Sequence, residues 1–121
     1  MTVVPFQDLP LADRDRAWDR DEADRRVREW AGTDGRPNTK YKEAHVWYDS
    51  DEGDEWGAYK LPIADVVDGR LMAVPHAIFA AGGVMDGARG GVKIPDDERE
   101  RVKKHLAKYY AKLGETPPWE R

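Results

Sequence analysis

The stretch from Lys60 to Val92, KLPIADVVDGRLMAVPHAIFAAGGVMDGARGGV, constrains the fold more than any other part of the sequence. Two short apolar runs, Ile63 to Val67 and Arg70 to Val74, flank Asp68-Gly69, a dipeptide that favours a two-residue type I′ hairpin. Pro75 then stands where a helix can begin. Ala77, Ile78, Phe79, Ala80 and Ala81 make that helix apolar nearly all round, so it is expected to be buried on most sides. Gly82 and Gly83 are expected to loosen or stop it. A hairpin, an apolar helix and a glycine-rich loop so close together supply the core around which two charged flanks must fold.

A chain of 121 residues buries one core and rarely splits, so residues 1–121 read as a single domain. Charged residues make up 36% of it, against about 25% in ordinary globular domains. The core is therefore small, and the surface is either densely charged or shaped for a partner. A net charge of −4 argues against a general nucleic-acid binder, which shows a basic face. The absence of cysteine removes disulfides and thiolate metal sites and fits a reducing compartment. No apolar run approaches the roughly 20 residues that span a membrane, and the N-terminus lacks the basic-then-apolar order of a signal peptide. The expectation is a soluble, intracellular protein without a membrane partner.

The flanks carry clear local signals. Residues 1–11 hold two prolines with Val3, Val4, Phe6 and Leu9, and read as an extended arm that lies over the core or reaches for another subunit. A first helix is expected from about Asp21 to Ala31, capped by Asp19 or Asp21 and ended by Gly32. Ala23, Val27, Trp30 and Ala31 form its apolar stripe, and Trp18 stands where it can staple onto the first turn. A turn-rich link follows, from Gly32 to Lys40. Ala44 to Tyr48 reads as a strand that turns through the acidic run 49–55 into a second strand, Trp56 to Lys60. The last helix starts with Pro95 at its first position, followed by Asp96, Asp97 and Glu98. Its stripe is Val102, His105, Leu106, Tyr109, Tyr110 and Leu113, and Gly114 ends it. The tail 115–121 contains Pro117, Pro118 and Trp119. The fold class is thus α+β: a small antiparallel sheet of two β-hairpins packed against two or three helices.

Few residues point to chemistry. The acidic run 49–55 invites a calcium reading, but Gly53 falls one place early and no closing Glu follows, so it reads as a solvated hairpin tip. The glycines 82–91 match neither phosphate-binding pattern, although Arg89 among them suits a phosphate or carboxylate. His45, His76 and His105 lack metal-ligand spacing. Ser50 is the only serine and has no nucleophile turn around it. Catalytic, cofactor and metal residues are therefore assigned as none, and the chain reads as a non-enzyme. Five Trp exceed what so small a core needs, and roughly three are expected inside it. The partner-binding candidates are Phe6, Trp56, Arg89 and Trp119, since Trp and Arg are enriched at binding hot spots.

Several blocks in one order carry a family resemblance: LPLADRDRAWD (9–19), YKLPIADVVDG (59–69), VPHAIFAA (74–81), GARGGV (87–92), IP (94–95), HLAKYY (105–110) and PPW (117–119). From about Leu9 to Trp119 the chain resembles a module of tailed bacteriophages and prophages found in or beside head-assembly proteins such as HK97-type prohead proteases. Nothing here matches the Ser and His of those proteases, so no catalytic role is implied. The resemblance implies a structural virion protein: a decoration, cement or minor capsid protein made in the host bacterial cytoplasm. Its expected partner is the phage major capsid protein or another head protein, with a homo-oligomer possible. The alternative is a nucleic-acid-binding accessory of head assembly or packaging that uses Arg25, Arg26, Arg28 and Arg36 with stacking Trp.

Overall fold

The computed structural model describes residues 2–87 and 91–121. The N-terminal residues lie over the core. Thr2–Val3 (β1) pairs antiparallel with His45–Tyr48 (β2), Thr2 opposite Tyr48 and Val3 opposite Trp47. Val4 extends the pairing by donating its N–H to the Val46 carbonyl at 2.8 Å. Residues 10–12 then run beside a second sheet: Ala73 N–H donates to the Pro10 carbonyl, and Ala12 N–H donates back to Ala73. Residues 2–12 thus bind both sheets.

The first helix, Arg20–Ala31 (α1), is capped by the Asp19 carboxylate accepting from Glu22 N–H, and Gly32 closes it at φ 67°. Ala23, Val27 and Ala31 are buried, while Trp30 stays half-exposed. Trp18 does not staple onto α1. It packs against Ala12, Val74 and Ala77 instead. The link that reads as turns contains a helical turn, Thr39–Lys42 (α2), where the Asn38 side chain accepts from Tyr41 N–H. A single turn is too short to leave a periodic pattern in the sequence.

After β2, short 3₁₀ turns at Ser50–Glu52 and Trp56–Ala58 precede Tyr59–Pro62 (β3). The second strand therefore begins three residues later than the sequence indicates. Trp56 is held in a turn closed by Ala58 N–H donating to the Glu55 carbonyl. Ala64–Val67 (β4) and Arg70–Ala73 (β5) form the expected hairpin. Asp68 and Gly69 both take positive φ, 52° and 77°, as a type I′ turn requires. The two hairpins do not share one sheet. β1-β2-β3 is one, β4-β5 the other. Ile63 stands at the break, donating to Ala44 just before β2 and accepting from Val74 just after β5.

Pro75–Met85 (α3) runs straight through Gly82 and Gly83. Gly82 marks a close approach, since a Cβ there would lie 2.0 Å from the Tyr110 hydroxyl. Asp96–Leu113 (α4) begins one residue after Pro95, which is its N-cap, and ends at Gly114 with φ 71°. Ile78 and Ala81 of α3 and Val102, Leu106, Tyr109 and Tyr110 of α4 meet Val46, Ile63 and Ala73 in the main core. Of the five tryptophans only Trp47 is buried, donating its indole N–H to Glu98 at 3.0 Å. The other four are half-buried at the rim, because so large a ring is rarely covered completely. The molecule is an α+β domain of two small antiparallel sheets and four α-helices among the described residues.

Candidate functional site

The sequence candidates do not converge. Phe6 is half-buried, with its ring 4.8 Å from Tyr109 and 5.5 Å edge-on to His105, and the Lys108 ammonium lies 4.9 Å above it. Trp119 lies in a 3₁₀ turn, Pro118–Glu120, and meets Tyr110 edge-on at 6.0 Å. Both rings fasten a terminal segment to α4. Arg89 lies outside the described residues. Trp56 lines a cleft.

That cleft runs along β3, an edge strand of its sheet, between α1 and α3. One half, about 320 Å³, is walled by Tyr41, His45, Trp56 and Tyr59 with Asp24 and Arg28. The other half, about 460 Å³, is floored by Leu61 and lined by Trp18, Ala80, Ala81, Val84 and Val92. Arg20, Lys60 and Pro62 line both halves, so the two adjoin along β3. Leu61 holds φ at 57°, a conformation that costs an L-residue about 1–2 kcal/mol and that collects at functional sites.

A polar network holds the aromatic half. Arg20, Asp24 and Arg28 share one face of α1 at i, i+4 and i+8. Asp24 accepts the Tyr41 hydroxyl at 2.6 Å and pairs with Arg28 Nε at 2.8 Å. Burial, reinforced by the Asp24 carboxylate, pushes the Tyr41 phenol well above its ordinary value. The Arg28 guanidinium lies 3.8 Å from the centre of the Trp56 ring, a stacked cation–π contact. His45 is 4% exposed, between the rings of Tyr41 at 4.7 Å and Tyr59 at 5.7 Å. Burial lowers its pKa to about 4, outweighing the bond to the Tyr41 carbonyl. Nδ1 lies 3.0 Å from that carbonyl, which only accepts, so Nδ1 carries the proton and Nε2 a bare lone pair.

The sequence singled out Trp56 for a partner, Arg28 only as part of a basic patch and His45 only as a possible metal ligand, and it did not bring them together. The i, i+4, i+8 spacing of Arg20, Asp24 and Arg28 was legible. Their meeting with Tyr41 and His45 depends on how α2 folds back, which no local signal records.

The remaining polar groups serve the fold or the solvent. Asp65 is 2% exposed and bonded to both Arg26 and Arg16. Arg25 pairs with Glu22, Arg28 with Asp24 and Arg36 with Asp54, so the arginines of the basic-patch alternative are each set against an acid. His76 is exposed, whereas His105 is buried. Among the described residues no three His, Asp or Glu side chains lie close enough to hold a metal ion, and no helix is long and apolar enough to cross a membrane. No family model, curated protein or solved structure matches this chain.

Proposed function

We propose that this chain is a non-enzymatic bacteriophage head protein, a decoration, cement or minor capsid protein, that binds the capsid shell through the cleft beside β3. The phage setting rests on the ordered sequence blocks between Leu9 and Trp119. The docking role rests on one observation: an aromatic and an apolar pocket adjoin along a sheet edge, sharing Arg20, Lys60 and Pro62. Trp and Tyr on a concave surface are the side chains that dominate protein–protein affinity. An edge strand offers unpaired backbone groups to an extended segment of a partner. The protein is made in the host cytoplasm and ends in the virion.

The nucleic-acid alternative keeps one support. Arg101, Lys104 and Lys108 are exposed on successive turns of α4 and make no ion pair among the described residues. One experiment separates the two readings. Heads assembled with the wild-type chain should carry it at repeated lattice positions in cryo-electron micrographs, and Trp56→Ala should reduce that occupancy severalfold. Heads devoid of the chain, together with a salt-sensitive gel shift of phage DNA, would instead establish the nucleic-acid role.

A further inference from the structure

The apolar half of the cleft presents surface that the fold leaves uncovered. Trp18, Pro62, Val84 and Val92 are half-exposed along it, and Ala80 is exposed. The buried Leu61 and Ala81 complete the lining. The wall that α3 supplies brings no full charge, since no Asp, Glu, Lys or Arg occurs from Pro75 to Met85. Apolar area left in the open beside a sheet edge marks a site of interaction more often than a flaw of packing.

Charge narrows the choice of occupant. The charged residues that line this half are Arg20 and Lys60, and among the described residues no Asp or Glu lines it. The chain holds 24 acids against 20 bases, and the arginines near α1 are matched: Arg16 and Arg26 to Asp65, Arg28 to Asp24. Arg20 and Lys60 make no ion pair among the described residues, so both are free to meet a carboxylate. Both belong to the end where the apolar pocket adjoins the aromatic one. An apolar surface with a cationic end complements an apolar side chain next to an acid. Nucleic acid is the poorer match, because its phosphates and sugars gain nothing from Trp18, Val84 and Val92. A pocket that adjoins a second one along β3 suits a polypeptide segment better than a discrete small molecule.

We infer that the apolar half of the cleft binds an acidic, aliphatic segment of a partner protein. A Leu, Ile, Val or Met side chain lies against Trp18, Ala80, Val84 and Val92, and a neighbouring Asp or Glu meets Arg20 and Lys60. This rests on the docking reading above and names what the docked segment must carry.

The test uses the full chain and a random heptapeptide library displayed on cells. Selected peptides should be enriched in Asp or Glu beside Leu, Ile, Val or Met. A synthetic copy of one should shift the Val84 and Val92 methyl signals and the Trp18 indole N–H in NMR spectra. Replacing its aliphatic residue by Ser should weaken binding roughly tenfold, the loss of one buried side chain. Replacing its acids by Lys should abolish binding. Ala80→Glu alters an exposed helix position, and should keep the thermal midpoint while removing peptide binding. If that chain fails to fold, Arg20→Glu takes its place, since an acid at the first residue of α1 suits the helix dipole. A library without the expected enrichment would overturn the site, as would selected peptides that bind the Ala80→Glu chain undiminished. Phosphatidylglycerol vesicles moving the same signals when no peptide does would overturn it in favour of a lipid surface. Heads decorated by the chain while no peptide is selected would overturn the site and leave capsid docking standing. Peptide binding with bare heads would do the reverse.

Discussion

Gly82 is the point where α3 touches α4. A Cβ built there would lie 2.0 Å from the hydroxyl oxygen of Tyr110 and 2.9 Å from its Cζ, and Tyr110 is itself buried, 1% exposed. The poor helix propensity of glycine is visible in a sequence, so Gly82-Gly83 reads there as a helix stop. The tyrosine pressed against it comes from another helix and is not visible. Gly82→Ala should therefore lower stability by about 1–3 kcal/mol through overpacking, although alanine is the better helix former by about 1 kcal/mol. Urea unfolding checks this. Adding Tyr110→Phe should recover part of the loss, because the hydroxyl is the nearest obstacle. A Gly82→Ala chain as stable as the wild type would mean that α3 slides aside at little cost.

Between elements, the strongest polar tie is Asp65 of β4. Arg26 of α1 donates to both of its oxygens at 2.9 and 2.8 Å, Arg16 of the preceding segment to one at 3.2 Å, and Val66 N–H at 2.7 Å. Burial pulls the carboxyl pKa upward, but the bonds from Arg26, Val66 and Arg16 overcome it and hold it below its ordinary value. Asp65→Asn keeps the shape and removes the countercharge of two partly buried arginines. The expected loss is about 3 kcal/mol, the lower end of the range for a broken buried pair, because both arginines retain some access to water. Denaturant midpoints measure it, and an unchanged midpoint would show the arginines simply turning outward. The elements themselves were largely legible. α1, the β4–β5 hairpin and α4 announce themselves through Asp19 and Gly32, Asp68-Gly69, and Pro95 with its following acids, each signal lying within a few residues. What escaped the sequence joins distant positions: Arg26 to Asp65, Val4 to Val46, and Ile63 dividing the hairpins between two sheets. The cleft escaped for the same reason, since Tyr41 and His45 reach Trp56 only through such long-range packing.

At the scale of the whole molecule, two buried histidines tie acid sensitivity to the architecture. His45 is held near a pKa of about 4 chiefly by burial, with Arg20 and Arg28 adding to the lowering and Asp24 and the Tyr41 carbonyl opposing it. His105 is held at about 4 by burial and Lys108, against its 2.8 Å bond to the Val4 carbonyl. In the unfolded chain both return to about 6.5. Between pH 6.5 and 4 the unfolded state therefore binds more protons than the folded one, so stability is full above pH 6.5 and falls as the pH drops. Each histidine should cost about 2 kcal/mol by pH 5, well before Asp65 begins to titrate. Urea midpoints measured from pH 7.5 to 4.5 should decline from about pH 6.5 onward, and His105→Gln should remove roughly half of that decline. A curve flat down to pH 5 would mean that the histidines find water or a proton acceptor in the folded state. The decline should also have a direction in space. His105 bonds the arm at Val4, and the arm joins both sheets through Val46 and Ala73. Protonated His105 keeps its Nδ1–H bond to Val4 but must bury a charge beside Lys108, which favours release of the arm. Amides of residues 2–12 should then lose hydrogen-exchange protection at a higher pH than those of α3.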